Sequence, residues 1–294
     1  MQLEMDRRRF LQVSGAAAGM GVAGTALGQN PQPDPRKEPL GRMKLGVVTY
    51  NIAKDWDLPT LIEKCTEIGL EGVELRTTHA HGVEPTLSAD ERADVRARFD
   101  DSPVTLWGLG STCEYHSTDA AEVQKQIDIT RDFCELAQDV GAAGVKVRPN
   151  GIPDEVPVEQ TLEQIGKSLL KCGEIAADHG VEIWMEVHGN KSQHPPHCRT
   201  IMDHCQHPSV GVCWNSNPGE AVDGTVKPYF DLLKDYIKSC HITELANDAY
   251  PWKELFSLLK GIGYDRFTLA EIQDNPQPER FMKYYRALWL EQTS

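Results

Sequence analysis

The chain has 294 residues, 40% of them hydrophobic and 25% charged, with a formal net charge of -14. This is enough apolar material for one large core or two small domains, and the acidic balance repels phosphate backbones and disfavours a nucleic-acid partner. Beyond residue 30 no run approaches the roughly 18 consecutive apolar residues of a membrane helix, so no span is expected in the mature chain.

The N-terminus reads as an export signal. Residues 6–11 are D-R-R-R-F-L, followed by a mildly apolar, Gly/Ala-rich run from Val13 to Leu27 and a small-residue cleavage site at Ala26-Leu27-Gly28. Arginines, apolar run and cleavage site stand in the order of a twin-arginine signal over residues 1–28, which predicts a periplasmic protein. That route carries folded chains, which suits a metal loaded before export. Residues 29–43 hold four prolines and little apolar material and read as a linker.

From residue 44 onward, short β-branched runs alternate with longer amphipathic runs. Strands are expected at 44–50, 71–76, 103–109, 143–148, 181–188, 209–215, 236–242 and 266–272. Helices are expected to start near 57, 88, 119, 158, 197, 226, 252 and 277. Ser88 and Asp119 suit N-caps. Gly69, Gly141, Gly180 and Gly263 suit left-handed positions just past helices. Leu162, Ile165, Leu169, Cys172 and Ala176 mark one buried helical stripe. Eight strand–helix units of about 30 residues predict an α/β protein, a single (β/α)8 barrel over 44–294 with a parallel eight-stranded sheet. The eight cysteines form no C-x-x-C pair and read as small core residues.

The period of two along each strand assigns its faces. In the fifth strand Ile183, Met185 and Val187 must face the helices, so Glu186 and His188 point into the barrel at its C-terminal end. The same reading turns Thr268, Ala270 and Ile272 outward and Glu271 inward. It points Cys213, Asn215 and His241 inward, together with Lys146, Arg148 and Glu74. Four successive strands thus end in an inward ligand type: Glu186, Asn215, His241 and Glu271. Burying two carboxylates is costly, and a divalent cation resolves the cost while leaving positions for substrate. Active sites of this fold lie at this rim.

These residues resemble the xylose isomerase-like barrel superfamily, which includes sugar-phosphate isomerases, ketose 3-epimerases, inosose dehydratases and type-IV apurinic endonucleases. The resemblance spans 44–290 and rests on G-V-E-L (72–75), E-V-H-G (186–189), V-C-W-N-S-N-P (212–218), C-H-I (240–242) and G-Y-D-R-F-T-L-A-E-I (263–272). It implies one divalent ion (manganese, cobalt, magnesium or zinc) held by Glu186, Asn215, His241 and Glu271, with the two glutamates moving a proton. Asn215 stands where the family usually has Asp, and the loop 243–250 lacks the arginine of some epimerases.

The implied chemistry is proton abstraction next to a sugar carbonyl through a metal-stabilised enediolate. Return of the proton on the other face makes an isomerase or epimerase, and loss of an adjacent hydroxyl makes a carbon–oxygen lyase on a keto-sugar or keto-cyclitol. His188 is expected to hydrogen-bond a substrate oxygen or act as an acid. Lys146 and Arg148 either bind an anionic group and stabilise the enediolate, or pair with Glu74 or Glu186. Glu74 and His116 join the candidate substrate-binding set. His79, His81 and Cys113 fall in loops overhanging the mouth. His194, His197, His204 and His207 read as solvated, and Trp184 as barrel filling. A phosphodiesterase of the apurinic endonuclease type needs more His and Asp ligands, and a non-catalytic sugar-binding barrel is the remaining alternative. The sugar, the metal and any homo-oligomer are left open by the sequence.

Overall fold

The computed structural model describes residues 42–294. The expected export signal and nearly all of the linker lie outside the described residues. The strands are β1 (Lys44–Val48), β2 (Gly72–Arg76), β3 (Thr105–Glu114), β4 (Gly144–Arg148), β5 (Glu182–Glu186), β6 (Val210–Asn215), β7 (Ile237–Ile242) and β8 (Phe267–Ala270). They pair in parallel and in sequence order, and β8 closes on β1. After each strand comes a helix: α1 (Leu58–Ile68) before β2, then α2 (Ala89–Asp100), α3 (Ala120–Val140), α4 (Val158–Asp178), α5 (Pro195–Cys205), α6 (Lys227–Leu233), α7 (Trp252–Gly261) and α8 (Pro278–Gln292). This is the expected (β/α)8 barrel. None of these helices is long and apolar enough to cross a membrane.

Local chemistry sets the boundaries as the sequence suggests. Ser88 caps α2 in a capping box with Glu91, and Asp119 accepts from the Ala121 amide to start α3. Gly69 and Gly141 end α1 and α3 at φ 81° and 80°, a conformation that penalises a Cβ. One boundary differs markedly. β3 runs to Glu114, five residues past the expected 109, because G-L-G-S-T carries no β-branched alternation to announce it. Cys113 therefore lies buried in a strand and not in an overhanging loop. All eight cysteines are free and buried. α5 turns Cys198, Ile201, Met202 and Cys205 into the core and leaves His197 and His204 half-exposed.

The barrel floor is solid. Trp184 is fully buried and stacks on Trp107 with centroids 5.0 Å apart, and Phe267 packs against Trp107 at 5.1 Å. Glycines make the room: a Cβ at Gly72 would lie 2.4 Å from Phe267, and one at Gly144 would lie 2.7 Å from both Trp184 and the Glu182 carbonyl. Below this layer Glu182 takes Lys238 at 3.0 Å and Arg266 at 2.6 Å. With the lower end filled, the inward residues at the C-terminal end are the ones a ligand can reach. Trp214 and Thr268 face the helices as expected, bonded to Tyr250 and Trp289 respectively.

Candidate metal centre and active site

Glu186 ends β5, His241 lies in β7, and Glu271 follows β8, where its amide continues the ladder onto the Ile242 carbonyl. Each offers one ligand atom, and these atoms all lie within 4.8 Å of one another. His241 Nδ1 is 3.6 Å from Glu186 Oε1 and 3.5 Å from Glu271 Oε2. Metal bonds of about 2.0–2.2 Å put neighbouring ligand atoms about 3–4 Å apart, so the spacing fits one ion. Asn215 joins the cluster, its Nδ2 donating to Glu186 Oε1 at 3.1 Å.

The surroundings fit a cation as well. His241 is fully buried and its Nε2 meets Glu74 Oε2 at 3.2 Å, while Nδ1 has no hydrogen-bond partner. A histidine whose far nitrogen is held by a carboxylate, with its near nitrogen aimed at a carboxylate pair, is the arrangement metal-binding histidines use. Glu74 was expected to reach substrate. At 0% exposure beneath His241 it instead orients the imidazole. Lys146 Nζ donates to Glu186 Oε2 at 2.8 Å, so the ion-pair alternative for this lysine is the one observed.

The charge balance is uneven. Three carboxylates, Glu74, Glu186 and Glu271, surround one lysine. Burial pulls the His241 imidazolium down, but Cys213, Glu74 and Glu271 outweigh it, and the group is pushed well above its ordinary 6.5. Burial likewise disfavours the Glu186 anion, yet Lys146 and then His241 hold this carboxyl well below the usual carboxylate range. Lys146 is lifted above its ordinary value because Glu186, Glu74 and Glu271 overcome burial. A pocket that recruits positive charge this strongly is short of it, and a divalent ion would supply the deficit.

On the other side of the mouth, Arg148 is engaged by Glu114, which also takes the Asn150 amide nitrogen. Asn150 Oδ1 lies 2.9 Å from His188 Nδ1. His116 is half-buried, 3.9 Å from Glu114 and without a bond at Nδ1. Glu114 and Asn150 were not among the expected site residues. The only sequence signal was weak: an acidic residue at an unmarked strand end, and an R-P-N-G turn after β4. His79 bonds Thr49 Oγ1 at 2.9 Å near Arg76 and Tyr50. Burial first, then Arg76 and His81, lower it to about 4. His81 is tied to the Arg76 carbonyl and the Val83 amide, a structural role in its loop.

Fold and site together define a (β/α)8 barrel with a carboxylate–histidine–carboxylate cluster at its C-terminal rim. A model of the xylose isomerase-like TIM barrel family matches residues 62–288, and the chain belongs to this family. Solved structures of the same fold include a D-psicose 3-epimerase of Clostridium cellulolyticum H10 with D-tagatose (TM-score 0.73, 14% identity, 86% of this chain and 100% of that one). A second is the 3-keto-D-glucoside 4-epimerase YcjR of E. coli (0.71, 13%, 85% and 99%). A third is the IOLI protein with a zinc atom (0.69, 17%, 86% and 98%). Comparison with curated protein sequences gives no match.

Proposed function

We propose that the protein is a divalent-metal-dependent sugar epimerase or isomerase that moves a proton next to a carbonyl. The observation that carries this is the convergence of Glu186, His241 and Glu271 at the mouth of a plugged barrel. These three would hold the ion, with Asn215 as a fourth donor. A bound divalent ion polarises a carbonyl and an adjacent hydroxyl and makes the neighbouring C–H more acidic. Glu74 orients His241, and Lys146 keeps Glu186 ionised. Glu271 is the more accessible carboxylate, with its side chain 20% exposed. It is the better placed to exchange a proton with substrate, and Glu186 serves the opposite face. His188 meets a substrate oxygen beside them.

Lys146 and Arg148 are each occupied by a carboxylate, which favours an uncharged keto-sugar over a phosphorylated one. The two epimerases of the same fold carry uncharged sugars in their names, and the fold likeness is compatible with the same class here. The twin-arginine segment supports a periplasmic site of action. The test is incubation of the manganese-loaded protein with neutral keto-sugars in deuterated water. Label incorporated at the carbon next to the carbonyl, abolished in Glu271→Gln, is the expected result. Loss of water from the sugar would mark a carbon–oxygen lyase, and no manganese uptake by the purified protein would remove the basis of both.

A further inference from the structure

The proton chemistry makes no use of the polar cluster on the β3–β5 side of the mouth, and its hydrogen bonds have one consistent assignment. Glu114 Oε1 is shared by Arg148 Nη2 and Asn150 Nδ2. An ionised carboxylate only accepts, so the Asn150 amide must turn its nitrogen toward Glu114 and its oxygen toward His188. That oxygen, 2.9 Å from His188 Nδ1, also only accepts. The proton of a neutral His188 ring must then reside on Nδ1, which leaves the lone pair on Nε2. Nε2 has no hydrogen-bond partner among the described residues, and the ring is partly exposed two residues past Glu186. Asn150 is held for this task in a left-handed conformation, φ 55°, which asparagine adopts more readily than most residues.

We propose that Glu114 and Asn150 are positioning residues that lock His188 in its Nδ1–H tautomer, so that Nε2 accepts a hydrogen bond from an uncharged hydroxyl of the ligand. Arg148 balances the Glu114 charge and is not free to meet an anion. With Nδ1–H given to Asn150 Oδ1, His188 presents the Nε2 lone pair to a hydroxyl. The hydroxyl assignment rests on the sugar reading above. The tautomer assignment does not.

Long-range proton–nitrogen correlation spectra of the full chain, labelled with 15N-histidine at mildly alkaline pH, test the lock directly. The His188 signals are those that vanish in His188→Gln. The wild type should show a protonated Nδ1 and a bare Nε2. Asn150→Gly, which suits the left-handed backbone, and Asn150→Ala should both move the ring toward the Nε2–H form that a solvated imidazole prefers. An Nε2–H pattern in the wild type, or an unchanged Nδ1–H pattern in Asn150→Gly, overturns the lock. Adding D-fructose, D-tagatose or D-psicose to the protein loaded with diamagnetic magnesium should shift Nε2 saturably, and inorganic phosphate should not. A response to phosphate alone, or to none of the four, overturns the hydroxyl assignment while leaving manganese binding and deuterium exchange to judge the catalytic reading separately.

Discussion

Replacing Lys146 by methionine separates a pocket built around a cation deficit from one built around a simple ion pair. The lysine and Glu186 side chains are 6% and 2% exposed, and their charged atoms are 2.8 Å apart. Methionine keeps the length and removes the charge. Glu186 Oε1 retains Asn215, but Oε2 loses its hydrogen-bond partner. Breaking a buried pair costs about 3–5 kcal/mol, and the surviving Asn215 bond argues for the lower end, about 3. For a domain of roughly 250 residues this is a fall of about 6–12 °C in Tm. Manganese at a hundred times its Kd should stabilise the wild type by about 2.7 kcal/mol, or about 5–10 °C. The variant should gain more than that, because the ion now replaces a charge as well as binding its ligands. Thermal melts of both proteins with chelator and with manganese measure all four values. A metal-free variant that melts within about 2 °C of the wild type, or a manganese gain no larger than the wild type's, would refute the charge argument.

Three further outcomes are expected. Gly144→Ala puts a Cβ against the Glu182 carbonyl and the Trp184 indole, both at 2.7 Å, and should cost about 1–3 kcal/mol in urea denaturation; an unchanged midpoint would show that the barrel floor has slack. His79 is held at about 4 against an ordinary 6.5. Its folded pKa is depressed, so the unfolded chain binds the proton first. Stability therefore falls as pH drops from about 6.5 to 4, and the Tm of His79→Gln should fall less steeply over that window than that of the wild type. Parallel slopes would count against it. Changing Arg7 and Arg8 to lysine should retain the precursor in the cytoplasm of a bacterial host, as read by fractionation, and unimpaired export would remove the twin-arginine reading.

The amino-acid sequence by itself determined the barrel, its caps and the inward set Glu186, His188, His241 and Glu271. These follow from the two-residue period of a strand and from capping chemistry within a few residues, both of which act locally. β3 marks the limit of such reasoning, since a run of glycine, serine and threonine has no apolar alternation from which to read its length. Tertiary structure alone decided which charge meets which. Glu74 under His241, Lys146 on Glu186, and Arg148 with Asn150 on Glu114 join residues 34 to 167 positions apart. Such pairings depend on how the strands are staggered around the closed barrel, and no single strand's pattern carries that information. The relay from Glu114 to His188 belongs to this second kind, because its order emerges only once three strand ends are brought side by side.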